Sequence, residues 1–163
     1  RLTKSANEAV EKLKAITGKK ALVLVLNDNI NALEDRRKEV EGEFPFEYED
    51  SKVGYVVTRQ RIVTEAVSFL IAFKEIDEDS PIVIFMDGDL MGSSRQNPNY
   101  PSGLDAAKEI KAVFEDRGWG LPHIIGDSSD SDKNEALKKK FPDQYICEHY
   151  DIHTTKEKLE KVL

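Results

Sequence analysis

The chain has 163 residues, enough for one domain with a proper core and too few for two ordinary ones. Its 24 Lys and Arg are outnumbered by 31 Asp and Glu, giving a formal net charge of -7. The basic stripe that nucleic-acid binding needs is therefore missing, and the expected partners are proteins or small ligands. No apolar run approaches the roughly 20 residues that cross a bilayer, and the start carries no apolar signal core. The single cysteine, Cys147, has no partner within the chain, which argues against a disulfide-stapled secreted domain. The expected location is the cytoplasm. A start at Arg1 rather than Met reads as a piece of a longer protein.

In chain order, 5–16 carries Ala6, Ala9, Val10, Leu13 and Ile16 at helical spacing, with Ser5 and Glu8 in capping-box register and Gly18 as a stop. This divides the chain into an N-terminal helix or linker, 1–18, and one domain, 19–163. The run 21–26 is apolar without alternation, as expected of a strand buried on both faces of a parallel sheet. A narrow apolar stripe, Ile30, Leu33 and Val40, predicts an outer helix over 30–40. Within 44–58, both 46–48 and 54–57 qualify as the second core strand. The segment 61–76 is apolar over most of its circumference and needs cover on more than one side, from the sheet or from a second copy in a homodimer; the N-terminal helix is a second candidate dimer face.

A third strand is predicted at 82–86, then a long polar loop, a helix over 104–115 and a strand over 123–126. A helix over about 134–140, a strand over 144–148 and a final helix over 155–163 complete the pattern. Trp119, in a Gly-Trp-Gly turn, is expected to cover the core. Cys147, His149 and His153 lie close together but fall short of the four ligands a structural zinc site needs. Regular alternation of strand and helix predicts an α/β fold, a doubly wound parallel sheet.

Three predicted strands end abruptly in polar residues: the first at Asn27-Asp28-Asn29, the third at Asp87-Gly88-Asp89, the fourth at Asp127-Ser128-Ser129. In open α/β sheets the crevice outside the carboxyl ends of the strands is where ligands bind. Acidic and hydroxyl groups from three strands thus converge on one rim.

This pattern resembles the receiver domain of response regulators. The resemblance covers about 20–163 and rests on Asn27-Asp28 in the acidic-pair positions, Asp87 in the phosphoacceptor position and Ser128 in the Ser/Thr position. It also rests on Ser102-Gly103-Leu104 where the family has Asp-Gly-Leu, and on Tyr145-Ile146-Cys147-Glu148-His149-Tyr150 where it has Tyr-x-x-Lys-Pro-Phe. It implies five parallel strands in the flavodoxin/CheY-like order 2-1-3-4-5, preceded by the extra N-terminal helix. It implies Mg2+ held by Asp28, Asp87 and the backbone carbonyl of Asp89, with Asn27 as a weaker ligand. Its expected partners are a kinase, a sensor or an output module.

Three departures stand out: Glu148 replaces the Lys, His149 the Pro, and Asn27 the first acid. Glu148 reverses the charge where a phosphoryl group needs a cation. The expected function is therefore that of a pseudo-receiver, a signalling domain acting through regulated protein–protein interaction and not an enzyme. One alternative is an atypical Mg2+-dependent receiver phosphorylated on Asp87. Another reads Asp87-x-Asp89 as the nucleophile and acid of a haloacid-dehalogenase-type phosphatase, with Asp127 and Asp132 as its metal-binding acids.

Overall fold

The computed structural model describes residues 22–27, 29, 31–32, 34–35, 38, 54–56, 63–88, 90 and 102–148. Among the described residues the strands are β1, Leu22–Leu26; β2, Gly54–Val56; β3, Ile82–Met86; β4, His123–Gly126; and β5, Tyr145–Glu148. Among the described residues, helices α1, Val63–Ile76; α2, Gly103–Asp116; and α3, Ser131–Lys140, interleave with them, and helical residues also follow β1 at 31–32, 34–35 and 38. The strands form one parallel sheet in the order β2-β1-β3-β4-β5.

Unbroken apolarity in β1 and β3 matches their position. All five residues of each are buried, and they pair in register from Leu22 against Ile82 to Leu26 against Met86. Even-numbered positions Leu22, Leu24, Leu26, Ile82, Ile84 and Met86 join Phe69 and Phe73 of α1, and Ile110 and Phe114 of α2, in one cluster. Odd-numbered Val23, Val25, Val83 and Phe85 are equally buried, so the sheet is covered on both faces. Strands of this kind gain nothing from polar alternation, because neither face meets water.

The open choice for the second strand resolves at 54–56, which pairs with β1 through Leu22 and Gly54; 46–48 lies outside the described residues. The predicted 61–76 helix begins at Val63. Ala66, Phe69, Leu70 and Phe73 sink into the core, while Val67, Ile71 and Ile76 stay half-buried. Much of the apolar breadth of this helix is thus absorbed within the chain. Trp119 covers the core edge as expected, edge-on to Phe114 at 5.4 Å between ring centroids, with the Arg117 guanidinium 5.1 Å from its own ring.

One boundary prediction is corrected. The helix expected from about Asn134 begins three residues earlier, at Ser131, because Asp130 caps it and accepts from the Asp132 N–H at 2.9 Å. The run Ser-Asp-Lys-Asn reads as a polar turn, yet it forms the first turn of α3 once the cap is in place. Similarly, β5 starts at Tyr145 rather than residue 144. Among the described residues no helix is long and apolar enough to cross a membrane. The predicted helices over 5–16 and 155–163 lie outside the described residues, as do His149 and His153.

Candidate functional site

The chain runs from β1 outward to β2, then returns across β1 to β3, so the topological switch lies between β1 and β3. The polar termini of these strands leave at that point. Backbone bonding carries the ladder one residue past each strand end: Asp87 N–H donates to Leu26 O at 3.1 Å, and Asp127 N–H donates to Met86 O at 2.9 Å. The ends of β1, β3 and β4 are therefore held side by side, and Asp87, half-buried, sits in the middle.

On the β1 side, Asn27 is buried and its Oδ1 accepts from the Asn29 N–H at 2.8 Å. Asn29 in turn accepts from the N–H groups of Asn31 and Ala32, which caps the helical residues that follow. The side-chain oxygen of Asn27 thus bonds the backbone just beyond the end of β1. Asp28 and Asp89 both lie outside the described residues, so of the four expected Mg2+ ligands the structure locates Asp87 and Asn27.

On the β4 side, the resemblance puts Ser128 in the Ser/Thr position, with Ser129 as its immediate neighbour. Burial separates them: Ser128 is 3% exposed and Ser129 is exposed. Ser128 is held by Asn134, itself 0% exposed, whose Oδ1 accepts from Ser128 N–H at 3.1 Å and whose Nδ2 donates to Ser128 O at 2.9 Å. The Ser128 Oγ accepts from the Asp130 N–H at 3.1 Å, which leaves its own hydrogen available to donate elsewhere.

Gly88 links the two sides. A Cβ placed on it would lie 2.7 Å from Ser128 Oγ and 2.6 Å from Lys133 Cδ, so the hydroxyl and the lysine stem close over this residue. Gly103 is held as tightly: its N–H donates to Gly88 O at 2.9 Å, and a Cβ there would come within 1.9 Å of Asp87 O. The start of α2 therefore rests directly on the backbone that presents Asp87. A capping box fixes that start, with Ser102 Oγ accepting from Asp105 N–H and the Asp105 carboxylate accepting from Ser102 N–H.

At the far side, Glu148 ends β5 opposite Gly126, after a register shift between Ile124 and Gly126. Tyr145 is half-buried, and its hydroxyl lies 2.7 Å from where a Cβ on Gly126 would stand. Burial first, and then the Glu148 carboxylate, push the Tyr145 hydroxyl well above its ordinary pKa, while the Gly126 backbone pulls the other way. Sequence reasoning missed Lys133 and Asn134. Its only available signal was Asp130 as a helix cap, which would have brought both residues into the first turn and toward the rim.

No protein-family model matches the chain, and no curated protein matches it. Two solved structures resemble it. One is a fusion carrying the trimeric coiled-coil segment of yeast Spc42, with a TM-score of 0.56 and 12% identity over 88% of this chain and 80% of that one. The other is the co-crystal structure of the Saccharomyces cerevisiae histidine phosphotransfer signalling protein Ypd1 with the receiver domain of its downstream response regulator Ssk1. That match has a TM-score of 0.51 and 18% identity over 79% of each chain. The fold is receiver-like. At such identities the likeness speaks for fold alone, and the chemistry rests on the rim residues.

Proposed function

We propose that this chain is a receiver-like signalling domain that acts through regulated protein–protein contact, with Asp87 as the phosphoacceptor at its control point. The observation that carries this reading is the placement of Ser128: a buried hydroxyl with a hydrogen to donate, beside Gly88 and hence next to Asp87. A phosphoryl group on Asp87 brings a charge near -2 and three acceptor oxygens, and a positioned hydroxyl is one way to read it. In the proposed step an Asp87 carboxylate oxygen attacks the phosphorus of acetyl phosphate. The bond from phosphorus to the bridging oxygen breaks, and acetate leaves with that electron pair.

The donor set proposed for a metal is all oxygen, the carboxylates of Asp28 and Asp87 with the carbonyl of Asp89, and this suits Mg2+. Such an ion supplies positive charge to offset that of the incoming phosphate. Asn27 is the weaker ligand of the proposed set; its side-chain oxygen also accepts from the Asn29 N–H. The proposed partner is a protein of a phosphorelay, in keeping with the Ssk1 receiver, which was solved together with a histidine phosphotransfer protein.

A second reading, the pseudo-receiver, is favoured by Glu148, which brings a carboxylate to the end of β5 where the family resemblance calls for a cation. Intact mass after incubation with acetyl phosphate and Mg2+, with Asp87→Asn in parallel, separates the readings. One phosphoryl adduct in the wild type and none in the variant is the expected result. A folded protein without an adduct leaves the pseudo-receiver, and repeated release of phosphate lost in Asp87→Asn points instead to the phosphatase reading with Asp87 and Asp89.

A further inference from the structure

We infer that Lys133, in the first turn of α3, supplies the cation of a phosphate-oxyanion site with Ser128 above Gly88, taking over the charge that Glu148 removes from the end of β5. This rests on the reading of the Asp87 rim as the control point of the domain. Three observations converge on it. The cap at Asp130 starts α3 at Ser131, and Lys133 N–H donates to Asp130 O at 3.2 Å, so the lysine leaves the helix at its rim-facing end. Its stem then runs across Gly88: a Cβ on that glycine would meet Lys133 Cδ at 2.6 Å and Lys133 Cβ at 3.0 Å. The same point lies 2.7 Å from Ser128 Oγ, so the hydroxyl and the lysine share one side of the residue that follows Asp87.

The geometry matters because the ammonium extends only two bonds beyond Cδ. From a stem fixed on Gly88, that reach stays within the neighbourhood of Asp87. A glycine at 88 is what permits the arrangement, since any side chain would occupy the space the lysine crosses. The α3 amino terminus adds partial positive charge at the same place. Carboxylates border the site as well: buried Asp127 precedes Ser128, Asp130 and Asp132 flank the start of α3, and Glu148 belongs to β5, on the far side of β4 from Gly88. The ligand is a tetrahedral phosphate oxyanion, which could be borne by Asp87 or be free inorganic phosphate.

Lys133→Met keeps the stem and removes the charge, Lys133→Arg keeps the charge, and Lys140→Met, at the exposed end of the same helix, is the control. Each is first checked for an unchanged thermal midpoint. With acetyl phosphate and Mg2+, Lys133→Met is expected to lower the steady-state adduct about 10-fold, the scale of one charge-assisted hydrogen bond, with recovery in Lys133→Arg and no change in Lys140→Met. An adduct that forms and decays identically in Lys133→Met overturns the inference and leaves the Asp87 reading standing. If the wild type gives no adduct, inorganic phosphate is titrated by NMR. Saturable shifts at Gly88, Ser128 and Lys133 that vanish in Lys133→Met support the site with free phosphate as its ligand, although the Asp87 reading fails. The absence of both adduct and saturable shifts overturns the site as well.

Discussion

The difference between Ser128 and Ser129 is the difference between a hydroxyl that can read a neighbour and one that meets water. Two adjacent serines in a Ser/Asp-rich stretch are chemically equivalent, and what separates them is Asn134, six residues onward, bonding both the N–H and the C=O of Ser128. With Asn134 wholly buried, Asn134→Ala leaves two buried backbone groups without partners. It should cost about 2–6 kcal/mol in stability, at roughly 1–3 kcal/mol for each unsatisfied group. A urea titration measures this directly, and a loss below about 0.5 kcal/mol would mean that water replaces the amide. That Asp87, Ser128 and Glu148 stand at or just beyond strand ends was legible from sequence, because an apolar run that stops in polar residues announces the end of a strand. Lys133 and Asn134 were not, because their importance depends on where α3 starts.

At the scale of elements, α2 shows how a helix can position a loop. Its capping box satisfies the Ser102 and Asp105 N–H groups, and its first residue, Gly103, is pressed against Asp87 O. Glycine is required there by the closeness of two backbones rather than by an unusual torsion angle. A methyl group 1.9 Å from a backbone oxygen cannot be absorbed by a rotamer change, so Gly103→Ala must shift either α2 or the strand end. We expect a loss of about 1–3 kcal/mol, as for other overpacked sites, together with amide shifts at Asp87 and Gly88 in NMR spectra. Shifts confined to 102–106 would show that the strain does not reach the rim. The triplet Ser102-Gly103-Leu104 was recognised in the sequence as a helix start, but its contact with the β3 end became visible only in three dimensions.

For the whole molecule, stability depends on a sheet buried on both faces, and its pH dependence is expected to carry the mark of a half-buried histidine. His123 opens β4, and burial lowers its pKa from the ordinary value of 6.5, so the fold favours the neutral ring. The unfolded chain then binds more protons near and below pH 6.5 than the folded chain does. The histidine contribution to stability is present above the unfolded pKa and is lost as pH falls through the lowered folded value. Thermal midpoints should therefore fall between about pH 7 and about pH 5, and His123→Gln should flatten that slope. An equal slope in the variant would assign the effect to other groups.

The sequence alone determined the kind of fold and the residue types that stand at its strand ends. Continuous apolarity in 22–26 and 82–86 demands a sheet covered on both faces, and the abrupt switch to Asn27 and to Asp87 places polar groups where those strands stop. Both are local facts, written in consecutive residues. Tertiary structure decided which of the candidate strands joins β1, which serine is buried, and which lysine lies over Gly88. Those outcomes depend on pairings between residues far apart in the chain, such as Leu22 with Gly54, and on close approaches of backbone to side chain that no local pattern encodes.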